Sequence, residues 1–120
     1  MGMKCALERD VQKTCRDWLV FWGAVVIRVN SGAMKVADRY VKFNSEPGCA
    51  DTLVCLPGGR FLSLELKKPG RDRTDAKRKA EQAAHRERVR KAGGLAIVAS
   101  SLDELIRQLE AAGFDTKTRA

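Results

Sequence analysis

The chain has 120 residues, 44% hydrophobic and 32% charged, enough to fold as a single domain around one core and too few for two. No apolar run approaches the roughly 20 residues that cross a bilayer, and MGMKCALERD lacks the apolar stretch of a signal peptide, so a soluble cytoplasmic protein is expected. The formal charge is +8, and the segment from Lys67 to Lys91 holds eleven Lys/Arg against four acids, a block that suits a polyanion such as nucleic acid.

In chain order, Leu7, Val11, Cys15, Trp18 and Trp22 recur at helical intervals and predict an amphipathic first helix ended by Gly23. The two tryptophans fall on its apolar stripe, which makes them core or dimer contacts rather than platforms for bases. A β-branched run predicts a strand over Val25–Asn30, and Asn30-Ser31-Gly32 turns the chain. The segment up to Ala37 reads as loop, and Arg39–Phe43 alternates as a half-exposed strand does. Ser45-Glu46-Pro47-Gly48 is a turn. A hairpin follows, with strands Thr52–Leu56 and Arg60–Leu66 around Pro57-Gly58-Gly59. Thr74 or Asp75 caps a helix reaching about Ala92, which Gly93-Gly94 closes. LAIVA is a buried strand, and Ser101 followed by Leu102, Leu105, Ile106 and Leu109 gives a last helix. The expected order is α-β-β-β-β-α-β-α, a mixed sheet flanked by helices, with the last two strands joined by a parallel crossover through the second long helix.

Cys5, Cys15, Cys49 and Cys55 show no C-x-x-C spacing, and His85 is the single histidine, so a zinc site is not expected. The thiols are expected free, buried or half-buried.

The hairpin carries charges that its apolar strands do not explain. A three-residue loop at 57–59 sets Asp51 opposite Glu65, whereas a two-residue loop sets Thr52 opposite Glu65 and Asp51 opposite Leu66. Either register holds the two acids within about one residue step, where they repel unless a cation lies between them. Leu62, Leu64 and Leu66 face one way; Phe61, Ser63, Glu65 and Lys67 face the other. Two carboxylates beside a lysine are the donor set of a hydrolytic Mg²⁺ or Mn²⁺ site. Glu-x-Lys alone occurs by chance about 0.6 times in a chain with seven Glu and ten Lys, so Asp51 and the basic tract are what give it weight. An exposed cross-strand charge cluster at a sheet edge is the competing reading.

The ordered set Glu8, Asn30-Ser31-Gly32, Gly48-Cys49-Ala50-Asp51, Glu65-Leu66-Lys67, Gln82 and Gly93 resembles the VRR-NUC branch of the PD-(D/E)XK nucleases. The resemblance implies a restriction-endonuclease-like fold and a metal-dependent DNA endonuclease. Asp51, Glu65 and the Leu66 carbonyl would then hold Mg²⁺ or Mn²⁺, and Glu8 would reach it directly or through water. Lys67 would serve the attacking water, and Gln82 would orient water, lysine or phosphate. Asn30, Ser31, Lys68, Arg71, Arg73, Lys77 and Arg78 are the candidate DNA contacts. Short stand-alone members are similar to Holliday-junction resolvases of phages and prophages, which implies a homodimer acting on branched DNA (four-way junctions or flaps) in a bacterial or phage-infected cell. A non-catalytic nucleic-acid-binding accessory and an RNA-directed nuclease are the alternatives. The chain departs from the family pattern at Cys49-Ala50, where Val-Pro is usual, and at His85, where an apolar or aromatic residue is usual. His85 shares a helix face with Gln82, Val89 and Ala92, so it is expected to point inward as a packed, hydrogen-bonded side chain.

Overall fold

The computed structural model describes residues 8–29, 33–42, 44–67 and 75–118. Helix α1 (Glu8–Trp22) leads into strand β1 (Val25–Arg28). A two-stranded ribbon follows, made of β2 (Ala33–Val36) and β3 (Arg39–Lys42). The hairpin β4 (Thr52–Cys55) and β5 (Phe61–Leu66) comes next, then helix α2 (Ala76–Lys91), strand β6 (Leu95–Ala99) and helix α3 (Leu102–Ala111). The main sheet has the order β1-β4-β5-β6; its first two pairings are antiparallel, and β5–β6 is parallel with α2 as the crossover.

This is the expected mixed sheet with flanking helices, with one strand added. Ala33–Val36, read as loop from the sequence, pairs with β3 through Val36↔Arg39. The turn between them is Ala37-Asp38, and Ala37 takes a left-handed backbone at φ 55°. Two-residue hairpin turns normally use glycine or asparagine for such angles. An alanine there gives no hairpin signal, and it costs roughly 1–2 kcal/mol of backbone strain. The described side chains of this ribbon, from Lys35 to Tyr40, are exposed.

The two faces of the main sheet differ in kind. Leu62, Leu64 and Leu66 of β5 are buried with Val54, Ile97 and Ala99 against Val11, Cys15, Leu19 and Trp22 of α1 and Leu105 and Leu109 of α3. Trp18 stacks on Trp22, and the Trp22 indole N–H donates to the Asp115 carbonyl at 3.0 Å, so both tryptophans belong to this layer. The opposite face presents Ser63 and Glu65, and there α2 buries Gln82, His85 and Val89. Ala92, expected on that same buried face, is instead an exposed C-cap. Asp75 caps the helix start, its carboxylate accepting from the Arg78 N–H at 2.8 Å. Cys15 and Cys49 are buried free thiols, as expected, but Cys55 is exposed, as are its register partners Val25 and Phe61. No helix among the described residues is long and apolar enough to cross a membrane.

Leu64 is fully buried at the centre of the apolar layer, so Leu64→Ala should cost about 3–4 kcal/mol through lost transfer energy and the cavity left behind. Val25→Ala, on a side chain 59% exposed, should change stability by less than about 0.5 kcal/mol. Urea unfolding of the two variants beside the parent chain measures both.

Candidate active site

The hairpin loop settles the register. The Leu56 N–H donates to the Arg60 carbonyl at 2.9 Å, and Gly58 and Gly59 both hold positive φ (91° and 92°), which explains a Gly-Gly pair in a three-residue loop. Pairing then runs Cys55↔Phe61, Val54↔Leu62, Leu53↔Ser63 and Thr52↔Leu64. The next step outward sets Asp51 against Glu65. Backbone contacts hold both flanks of this step: the Val29 N–H donates to the Asp51 carbonyl at 2.8 Å, and the Lys67 N–H to the Ala99 carbonyl at 2.9 Å.

Glu65 is the focus. Its side chain is 12% exposed; Oε1 accepts from Gln82 Nε2 at 3.0 Å and lies 3.7 Å from Lys67 Nζ. Burial pushes its carboxyl above the usual carboxylate range. Lys67 opposes that rise, Asp51 adds to it, and Arg86 and Arg78 pull it back. Asp51 itself is exposed. The neighbouring Cys49 thiol is also pushed up, by burial first and then by Glu46, Asp51 and Glu65, so three carboxylates crowd one corner of the protein.

The turn that carries Asp51 is clamped to α2. Gly48 (φ 73°) packs so tightly on the Glu81–Gln82 peptide that a Cβ there would collide with it. Two residues earlier, Glu46 Oε2 meets His85 Nδ1 at 2.8 Å and Arg88 Nε at 3.0 Å, while Arg88 Nη2 donates to the Pro47 carbonyl at 3.1 Å. The buried His85 reaches Ser63 Oγ with its other nitrogen at 2.7 Å. An ionised carboxylate only accepts, so Nδ1 carries a proton; in the neutral ring Nε2 then accepts from the Ser63 hydroxyl. His85 is therefore the inward, hydrogen-bonded residue its helix position implies. Its partners Glu46 and Ser63 were not singled out from the sequence. The same α2 face holds Gln82 on Glu65 and His85 on Glu46, one turn apart.

Other expected site residues fall less centrally or out of view. Lys77 and Arg78 are exposed on the first turn of α2. Glu8 opens α1, but its side chain, and all of Asn30, Ser31, Lys68, Arg71 and Arg73, lie outside the described residues. Among the described residues no three His, Cys, Asp or Glu side chains form a metal cluster. Asp51, Glu65 and a backbone carbonyl with waters nevertheless fit Mg²⁺ or Mn²⁺, which are held by one or two carboxylates and keep several waters. Burial first and Asp51 second disfavour the ionised form of Glu65, and a bound cation would favour it.

The two buttressed glutamates should respond to pH with opposite signs. Hydrogen bonds from His85 and then Arg88 hold the Glu46 carboxyl below its ordinary 4.5. Its ionised form therefore stabilises the fold above pH 4.5, and that contribution is lost as pH falls below it. Glu65 is raised from 4.5, so its ionised form costs stability in metal-free protein once pH exceeds the raised value, and the cost fades as pH falls toward 4.5. At neutral pH without divalent cation, Glu46→Gln should lower the thermal midpoint and Glu65→Gln should raise it. Near pH 4.5 only the Glu46→Gln difference should survive. Thermal unfolding at several pH values measures both. His85→Ala, which leaves the Ser63 hydroxyl and the Glu46 carboxylate short of a partner, should cost about 1–3 kcal/mol.

Compared with known proteins, the chain matches no family model, and no curated protein matches it. Among solved structures it is similar to a VRR-NUC domain, at a TM-score of 0.58 and 26% identity, with 86% of this chain and 94% of that one covered. With that likeness added to the mixed sheet and the Asp51–Glu65 hairpin, this chain has a restriction-endonuclease-like fold similar to that of a VRR-NUC domain.

Proposed function

We propose that this domain is a metal-dependent nuclease that hydrolyses phosphodiester bonds in DNA. The observation that carries the reading is the convergence on Glu65: Asp51 is its register partner, Gln82 donates to Oε1 and Lys67 lies 3.7 Å from the same oxygen. Both of these nitrogen contacts fall on Oε1. In this reading Asp51, Glu65 and the Leu66 carbonyl hold Mg²⁺ or Mn²⁺, with Glu8 contributing directly or through water. When bound, the cation neutralises charge on the phosphodiester and makes a coordinated water more acidic. Lys67 orients the attacking water toward phosphorus. Gln82 keeps the Glu65 carboxylate in one rotamer, so the ligand geometry is set before substrate arrives. The attack breaks one P–O ester bond, and the leaving oxygen takes up a proton.

The DNA grip is electrostatic. Lys77 and Arg78, together with Lys68, Arg71, Arg73, Asn30 and Ser31, would engage phosphates, which position a strand without reading its bases. We infer branched DNA, four-way junctions or flaps, as the substrate class, of the kind met in phage-infected cytoplasm, and a homodimer as the working form. The dimer follows from one active site per chain facing two strands to be cut symmetrically. The outer strand β1 supports it, exposing Val25 and Ile27 beside Phe61 on a single sheet face.

A panel of linear, flap, splayed-arm and four-way junction DNAs, plus RNA, incubated with Mn²⁺ tests this reading. Parent protein should cut a branched DNA. Asp51→Ala and Lys67→Ala should cut at least about 10²-fold more slowly while still binding it. Cutting that persists in both variants defeats the site assignment. Binding without any cutting favours an accessory role, and cutting of RNA alone reassigns the substrate. Sedimentation should give two chains per particle, and Ile27→Asp should halve that mass. A parent chain that sediments as a monomer while cutting junctions removes the dimer.

A further inference from the structure

The cations of α2 differ in what already holds them. Arg88 is tied to Glu46 and to the Pro47 carbonyl. Arg90 donates to the Ala96 carbonyl at 3.2 Å and lies 3.9 Å from Glu87. Arg86 stands apart. It is half-buried, yet it makes no hydrogen bond or ion pair with any described residue.

Helix geometry says where its charge acts. Each residue turns the helix by about 100° and advances it 1.5 Å, so Arg78 and Arg86 lie about 40° to either side of Gln82 and about 6 Å before and after it. Gln82 is the α2 residue that touches the Glu65 carboxylate. The stripe Arg78–Gln82–Arg86 therefore runs past the candidate site with one cation a turn upstream and another a turn downstream. The charge of both is felt at Glu65, where each opposes the rise of the carboxyl. That places Arg86 within electrostatic reach of the site, though it forms no ion pair there.

A half-buried guanidinium with no anion partner among the described residues is held at a desolvation cost that an arriving anion offsets. Its planar fork of donors matches two oxygens of a phosphate. One helical turn is also comparable to the separation of consecutive phosphates on an extended strand. We propose that Arg86 binds the phosphate next to the scissile one, with Arg78 on the neighbour at the other side, so that one strand lies along α2 with the reacting phosphate at Gln82. The inference rests on the nuclease reading for which phosphate reacts, but the contact itself is readable by binding alone. It adds Arg86 to the DNA contacts and gives the strand a direction across the site: three successive phosphates in line with the axis of α2.

The experiment uses the full chain, a fixed four-way DNA junction and a single-stranded oligonucleotide, with Ca²⁺ in place of Mn²⁺ so that binding is read without cutting. Arg86→Gln should weaken binding to both DNAs roughly tenfold and reduce the slope of log affinity against log salt by about one. Arg86→Lys should restore most of the slope, and the thermal midpoint of both variants should stay near that of the parent. A neutral methylphosphonate is then placed at each phosphate flanking the mapped Mn²⁺ cut. In the parent, one of these positions should cost as much binding as Arg86→Gln does, and in Arg86→Gln the same position should cost nothing more. An unchanged salt slope, or losses that simply add, overturns the proposal. If the slope falls but nothing is cut by Mn²⁺-loaded protein, the phosphate contact stands and the nuclease reading falls. If junctions are cut and Lys67→Ala stops it while Arg86→Gln leaves the slope intact, the nuclease reading stands and the Arg86 contact falls.

Discussion

Everything at this site depends on a three-residue loop. Pro57-Gly58-Gly59 fixes how β4 returns as β5, and that count alone decides whether Asp51 meets Glu65 or a leucine. Because side chains alternate along a strand, a slip of one residue would also send Leu62, Leu64 and Leu66 out of the core. The apolar face therefore enforces the register that the acidic pair needs. The hydrophobic layer under α1 and α3 supplies the stability, and the opposite face accepts repulsion between two carboxylates as a consequence.

That division of labour explains why α2 is an unusual crossover helix. A helix laid on a sheet normally buries an apolar stripe. Here two of the three buried α2 residues, Gln82 and His85, are polar, and both point at carboxylates, Glu65 and Glu46. The helix is held by directional contacts, each with a defined partner and length, and by Gly48 resting against the Glu81–Gln82 peptide. Directional contacts fix rotation about the helix axis more tightly than an apolar stripe does. The turn leading to Asp51 and the amide that touches Glu65 are thus referred to one rigid body, although they are far apart in sequence.

What could be read from the sequence follows the same physics. Periodicity revealed β4, β5 and the inward face of α2 at Gln82, His85 and Val89 though not at Ala92, and the polar residues before α2 narrowed its cap to Thr74 or Asp75, of which Asp75 serves. The hairpin register stayed ambiguous between two loops, because Pro-Gly-Gly satisfies either count until the Leu56–Arg60 hydrogen bond is seen. The strand β2 was hidden by an alanine occupying a left-handed turn position that normally signals itself with glycine. Glu46 was read only as part of a turn, since its partner His85 lies 39 residues away and no local pattern links them. Arg86 was counted as one charge in a basic tract; its spacing of four from Gln82 was the available signal, and it gains meaning only once Gln82 is seen on Glu65.

The electrostatics of the whole chain and of the site run in opposite directions, and the contrast is informative. The protein carries a formal +8, yet burial, with Asp51 adding to it, holds the Glu65 carboxyl above its ordinary range. Screening by water and salt confines an exposed cation's influence to roughly 10 Å, so distant lysines do little for a half-buried acid. Lys67 lies 3.7 Å from Oε1, at the loose end of ion-pair range. Arg78 and Arg86 act on Glu65 from further away, without pairing with it. A site built for stability alone would close these gaps with a bidentate arginine. Here Glu65 has instead a single amide donor, Gln82, and a lysine at longer range. On the nuclease reading proposed above, a divalent cation would add positive charge beside the buried Glu65 and a phosphate backbone would add negative charge along α2, so metal and polyanion would each relieve what the other leaves.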